Sequence, residues 1–277
     1  MREERNIAPL LLGALLIASL LLDWSALVFP IDIFRFPVNI LSMALWLAVT
    51  IELYLKREKW AMSRFMLSGS ATTLSFVAMV GLGIVFGIQL TPATTSFTAI
   101  IATLFLMSHL LLVTLRGWRN VRGIRWRFVV NHLGLLIAIG AAFWGAPDRE
   151  EVRAGVEYDK VTTEAYDSKG AMRVLDKEMQ LEDFEVEYYD NGTPERYEAR
   201  VRIGEEQATI RVNKPYNISL SESAYLVSYD TQSPDECRYC IVEVVREPWR
   251  YAIASGIVLM LVGAVMMFLG RTTRKKS

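Results

Sequence analysis

Six long apolar blocks constrain this chain more than anything else in it. A hydrocarbon core roughly 30 Å thick is spanned by about 20 apolar residues at about 1.5 Å rise each. The windows 8–29, 37–55, 67–90, 97–115, 127–146 and 250–270 meet or nearly meet that length. A hydrophobic content of 52% in 277 residues would also suit one large soluble domain, so it is the distribution that decides. The first block follows Arg2 and Arg5 much as a signal peptide would. It is longer than an h-region, however, and neither Asp23-Trp24 nor Phe29-Pro30 resembles a small-residue cleavage site, so it reads as a retained span. The expected fold class is a polytopic α-helical membrane protein with six transmembrane helices and one extracytoplasmic, antiparallel β-rich domain.

The formal net charge of zero hides a segregation that orients these spans. From Pro147 to Pro248 there are 24 acidic against 13 basic side chains, a net of 11 negative. Of the 17 basic residues elsewhere, 15 cluster at Arg2 and Arg5, Lys56 to Arg64, Arg116 to Arg127, and Arg271 to Lys276. Alternate crossings put all four clusters on one side and the acidic segment on the other. The positive-inside bias makes the first side cytoplasmic, with both termini there. The basic loops therefore read as a topology signal and not as a nucleic-acid surface. This divides the chain into a five-helix membrane region (1–146), an extracytoplasmic domain (147–248), and a final span with a basic tail (249–277). In the third span, Gly83 and Gly87 form a small-xxx-small pair of the kind that lets a neighbouring helix approach closely.

After Pro147 continuous apolar runs give way to alternation. Phe184–Tyr188, Tyr197–Ile203, Ala208–Val212, Ala224–Tyr229 and Cys240–Val245 read as strands, and Asn191-Gly192 as the turn between the first two. A small antiparallel sheet or sandwich is expected, tethered to the membrane at both ends.

The only two histidines, His109 and His132, both fall inside predicted spans. An ionisable ring in hydrocarbon is costly unless paired or liganded, which makes each a candidate. Both sit roughly 8 to 10 Å below the cytoplasmic interface, on helices joined by a short connection and therefore antiparallel neighbours. Such rings suit axial ligation of haem iron. Equally, each could hydrogen-bond a carbonyl or a Ser/Thr hydroxyl on an adjacent helix. The two cysteines form Cys237-Arg-Tyr-Cys240, and Ile241 stands where a haem-attachment motif requires histidine. This pair is open to three readings: a structural disulfide, which needs a bend at Arg238-Tyr239, inert thiols, or a redox couple. A Ser-His-Asp triad is excluded from the outer domain, which has no histidine, and the chain carries no phosphate-binding or dinucleotide fingerprint.

The ordered set His132-Leu-Gly-Leu-Leu-Ile137, Leu181–Tyr189, Asn191-Gly-Thr-Pro194 with Tyr197, Ile210–Pro215, Tyr225–Asp230 and Val242–Pro248 resembles the ResB/CcsB proteins of c-type cytochrome biogenesis (System II) across residues 128–270. The resemblance implies one subunit of a complex that moves haem across the bacterial inner membrane and attaches it to apocytochrome c. It implies a CcsA-type partner bearing a tryptophan-rich haem-handling segment absent here, a thioredoxin-like thiol reductant, transiently bound haem b, and His132 as the haem ligand. On this view the chain is a non-catalytic or co-catalytic subunit of the haem lyase. Two other classes compete: a b-type electron-transfer subunit with His109 and His132 on one haem, and a cofactor-free membrane-anchored scaffold.

Overall fold

In lipid every backbone polar group must be satisfied within its own segment, so an uninterrupted apolar block of sufficient length becomes a helix. The computed structural model describes residues 4–25, 27–89, 93–121, 123–231 and 237–272; Arg2, Arg122, residues 90–92 and the end of the basic tail from 273 lie outside them. Among the described residues, six helices are long and apolar enough to cross a membrane. They are α1 (Glu4–Trp24), α2 (Val38–Leu55), α4 (Gly69–Gln89), α5 (Phe97–Gly117), α6 (Trp126–Gly145) and α7 (Arg250–Thr272). The protein is thus a multi-pass helical membrane protein with a β-rich domain. The chain divides into two units: Met1–Pro147 with Trp249–Ser277, and Asp148–Pro248.

Helix α5 organises the membrane unit. Its span is 61% buried, whereas the spans on α2, α4 and α7 are each 11% buried. One boundary differs from the sequence expectation: helix α1 stops at Trp24 and not at residue 29. A separate short helix that was not anticipated, α3 (Ala61–Met66), lies ahead of the third block and is broken from α4 at Leu67-Ser68.

The close helix approach expected at Gly83 and Gly87 is not made there: a Cβ at either would meet nothing within 4 Å. It is made between α6 and α7, where a Cβ on Gly134, Gly256 or Gly263 would come within 3.0 Å of the facing helix's backbone. Asn131 reinforces this seam, its amide donating to the Met260 carbonyl at 3.0 Å. The glycine spacing on α4 is the same kind of signal, but spacing alone does not say which neighbour faces it.

The described residues of the outer unit form one eight-stranded antiparallel sheet in the order β7-β6-β5-β4-β3-β10-β9-β8. The strands are β3 (Glu150–Glu157), β4 (Thr162–Asp167), β5 (Met172–Tyr188), β6 (Pro194–Ile203), β7 (Glu206–Arg211), β8 (Tyr216–Asn217), β9 (Glu222–Tyr229) and β10 (Tyr239–Arg246); a two-residue hairpin, β1 (Arg119–Asn120) and β2 (Gly123–Ile124), lies between α5 and α6. Because β3 pairs with β10 and each other strand with its chain neighbour, the sheet is a meander curled on itself. Its edges approach, and the Tyr216 hydroxyl on β8 donates to the Glu206 carboxylate on β7 at 2.7 Å. The concave face is the core, lined by Ala154, Ala165, Ala199, Ala208 and Ala224 among Met179, Leu181, Ile203, Ile210 and Val242. Small residues recur because the inside of a narrow barrel has little room. A second layer, as in a sandwich, is therefore not needed to bury the apolar face.

Asn191-Gly192 does make the turn between β5 and β6, with Gly192 at φ +79° and the Thr193 N–H donating to Asn191 Oδ1. The strands β3 and β4 and the first half of β5 were not anticipated from the sequence. Their inward residues alternate, as Val152, Ala154 and Val156 show, but the intervening Glu, Arg and Gly residues dilute the apolar signal.

Candidate functional site

The two histidines sit near the same end of the helical unit, on either side of the α5–α6 connection, yet their rings are held in different ways. His109 is buried on α5, and its Nδ1 lies 2.6 Å from the Met66 carbonyl while its Nε2 lies 3.2 Å from Thr72 Oγ1. A carbonyl can only accept, so in the neutral ring Nδ1–H donates and Nε2 accepts from the Thr72 hydroxyl. The local cause is the break between α3 and α4. The last carbonyls of α3 have no partner within their helix, and α5 supplies donors seven residues apart: His109 to Met66, and Arg116 Nη1 to Leu67 at 2.8 Å. His109 thus ties α5 to the α3 C-terminus and to α4 through both ring nitrogens.

His132 is half-buried on α6, about one and a half turns after the helix starts at Trp126. Its Nδ1 lies 2.9 Å from the Phe128 carbonyl one turn earlier, and its ring packs against the Phe128 ring with centroids 3.9 Å apart. Donation from Nδ1 fixes the tautomer and leaves the Nε2 lone pair outward, the arrangement that orients metal-bound imidazoles. Among the described residues Nε2 has no protein partner. Phe128 is itself seated on Gly117, where a Cβ would come within 3.0 Å of its ring. Arg125 completes the column, with its guanidinium 4.7 Å from the Phe128 ring centre and Nη1 donating to the Gly117 carbonyl at 3.2 Å. Asn131, next to His132 in sequence, points about 100° away around the helix and into the α7 seam. The face bearing His132 is therefore not the one occupied by α7.

The polar contacts that hold α2 against α5 and α6 were not anticipated from the sequence. Asn39 is fully buried and donates to the Trp144 carbonyl at the end of α6 at 3.0 Å. Trp46 Nε1 donates to Ser108 Oγ at 2.8 Å, and the Tyr54 hydroxyl to the Leu115 carbonyl at 3.0 Å. At the other end of α5, Asp23 accepts from the Phe97 and Thr98 N–H groups at 2.8 and 3.1 Å and from the Ser96 hydroxyl at 2.7 Å. Its carboxylate thus caps α5 from another helix. A single Asp in an apolar block and a Ser-Phe-Thr at the next block's start were the signals, but nothing in their spacing connects them.

In the outer unit Cys237 and Cys240 are unbridged and buried. Strand β10 begins at Tyr239 and leaves Cys237 outside it. Cys237 Sγ–H donates to the Tyr239 carbonyl at 3.1 Å. Burial, helped by the neighbouring Cys237, pushes the Cys240 thiol up to about 12, and burial also raises Cys237. At neutral pH both are protonated and poor nucleophiles. Among the described residues no group of three or more His, Cys, Asp and Glu side chains could hold a metal ion.

The outward charges of the same unit are largely paired across strands. Examples are Arg200 with Asp183 at 3.2 Å, Arg153 with Glu243 at 2.9 Å, and Arg211 with Glu198 at 2.5 Å. The net negative charge therefore sits on a surface most of whose arginines are already engaged.

No curated protein matches the sequence. Residues 122–242, which run from the α5–α6 connection through α6 and the barrel into β10, match the ResB-like family. That span contains His132 and its Phe128 and Arg125 neighbours but not His109.

Proposed function

We propose that this protein is the ResB/CcsB-type subunit of a cytochrome c biogenesis complex, in which His132 ligates haem in transit through the membrane. The match of residues 122–242 to the ResB-like family supports a role in cytochrome c biogenesis. The observation that carries the finer reading is the His132 ring. Its Nδ1 is held by a carbonyl of its own helix, and its Nε2 has no partner among the described residues, on a half-buried face within the family-matched segment. Haem is cargo here. The chain's contribution is to orient one imidazole, shield it from water, and present the outer barrel to the apocytochrome or to a CcsA-type partner. Formation of the thioether bonds belongs to that partner, with a thioredoxin-like reductant keeping the acceptor thiols reduced. The buried, protonated Cys237 and Cys240 are core residues in this reading. So placed, the chain lies in the bacterial inner membrane with both termini cytoplasmic and the barrel outside.

His109 already uses both ring nitrogens on Met66 and Thr72. That leaves His132 as the single ligand, and the two-histidine electron-transfer reading is not favoured. The test is spectroscopic, on membranes carrying the protein with its partner. Wild type should show a Soret band that falls at least about tenfold in His132→Ala and persists in His109→Ala at matched folded protein. A wild-type complex without haem, or an unaltered band in His132→Ala, overturns the reading.

A further inference from the structure

We infer that Arg125 is the carboxylate-binding residue of the His132 site, holding the acidic edge of a planar, dianionic, apolar ligand such as haem at the mouth of the α5–α6 connection. The inference rests on the His132 reading and adds the direction in which the ligand lies.

The geometry is a graded column on one face of α6. Arg125 is exposed at the N-cap, Phe128 is half-buried three residues later, and His132 is half-buried four residues beyond that. Guanidinium, phenyl and imidazole follow one another at 4.7 Å and 3.9 Å. Seven residues of helix separate the first from the last, a rise of about 10 Å. A porphyrin whose iron meets His132 Nε2 can therefore turn its carboxylate edge back along the helix to Arg125 while its apolar edge goes deeper.

Chemistry favours this direction over its reverse. Two carboxylates are costly in hydrocarbon and belong at the interface, where a guanidinium fork matches their geometry. Arg125 is also preorganised. One of its five N–H donors is spent on the Gly117 carbonyl, which pins the guanidinium over Phe128 instead of leaving the side chain free in solvent. Gly117 contributes twice, accepting that bond and making room for the Phe128 ring. Gly117, the last residue of α5, thus anchors both Arg125 and Phe128.

The experiment titrates the purified full-length protein, in detergent or lipid discs, with haemin and with haemin dimethyl ester, which keeps the iron but masks both carboxylates. Wild type should bind haemin about tenfold more tightly than the diester, as expected for one good charge-assisted pair. Arg125→Gln should remove that preference while leaving diester affinity and the histidine-ligated spectrum unchanged, and Arg125→Lys should restore part of it. A merely structural Arg125 would weaken both ligands alike, which overturns the inference, as does an Arg125→Gln protein that still prefers haemin. His132→Ala separates the two claims. If it leaves the ligated spectrum intact, the ligand reading and this inference both fall; if it abolishes ligation while Arg125→Gln has no effect, only the role of Arg125 falls.

Discussion

The outer barrel and the helical unit dispose of their apolar residues in opposite directions. The barrel turns Val156, Met179, Leu181, Ile210 and Val242 inward, each 1% exposed or less, and covers its outside with cross-strand ion pairs. The helices turn Phe76, Ile84, Leu261 and Phe268 outward, each more than half exposed, and keep small and polar side chains between them. The difference is one of solvent. Water drives apolar side chains together, so a closed core is itself the stabilising element. Lipid tails are as apolar as leucine, and helices there associate through close backbone packing and hydrogen bonds. In the helical unit those contacts are the Gly134, Gly256 and Gly263 seam, the Asn39 and Trp46 bonds, the His109 tie and the Asp23 cap.

The sharpest way to break this comparison is to make one chemical change in three settings. Gly134→Val puts branched carbons into the α7 backbone, where a single Cβ would already come within 3.0 Å. The helices would have to separate, so the variant should lose most of its folded, monodisperse fraction in detergent, by far the largest effect expected here. At Gly83 on α4 and Gly155 on β3 a Cβ would meet nothing within 4 Å, and Gly83→Val and Gly155→Val should leave that fraction within about 0.5 kcal/mol of wild type. If Gly83→Val proves as damaging as Gly134→Val, α4 has a partner that the isolated chain does not show.

A smaller effect tests the polar half of the argument. Asp23→Ala strips the α5 N-terminus of a cap that satisfies two backbone N–H groups and the Ser96 hydroxyl. It should cost about 1–2 kcal/mol, with a smaller loss for Asp23→Asn, which keeps an acceptor without the charge. Thermal unfolding of the full chain in detergent measures both. Equal stability of wild type and Asp23→Ala would mean that lipid or water replaces the cap at no cost.

What the sequence showed follows the same division. Apolar length and charge bias exposed all six spans, because lipid imposes one requirement on every residue of a span. The short helix α3 ahead of the third span was missed because the groups that hold its end, His109 and Arg116 on the Met66 and Leu67 carbonyls, lie more than 40 residues away in sequence. In the barrel, β6, β9 and β10 were legible from alternating Val, Ile, Tyr and Leu. Strand β3 was not, since its inward set is only Val152, Ala154 and Val156 amid charge. For the histidines, depth and proximity to the α5–α6 connection could be read, whereas the opposite use of their ring nitrogens could not. That use depends on whether a carbonyl of the same helix or of another one is nearest, and a one-dimensional pattern does not carry that information.

Cys240 offers the gentlest probe of the barrel core. Its thiol rises from an ordinary value of 9.0 to about 12 because burial disfavours the thiolate, with Cys237 adding to the effect. In the unfolded chain the thiol ionises near 9, so above that pH the unfolded state holds fewer protons than the folded state. The linkage slope is then negative: the contribution is fully present below pH 9 and is lost as pH rises toward 12. The expected loss is about 1.4 kcal/mol per pH unit above 9, partly masked by Tyr158 and Tyr229, which burial also raises and which act in the same direction. Comparing wild type with Cys240→Val removes that overlap. Amide exchange of β3 and β10 should become more pH-dependent above 9 in wild type than in the variant, and iodoacetamide should label Cys240 slowly at pH 8. Rapid labelling at pH 8, or identical pH profiles, would mean that the thiol is reached by water and that the barrel at β10 is looser than its packing suggests.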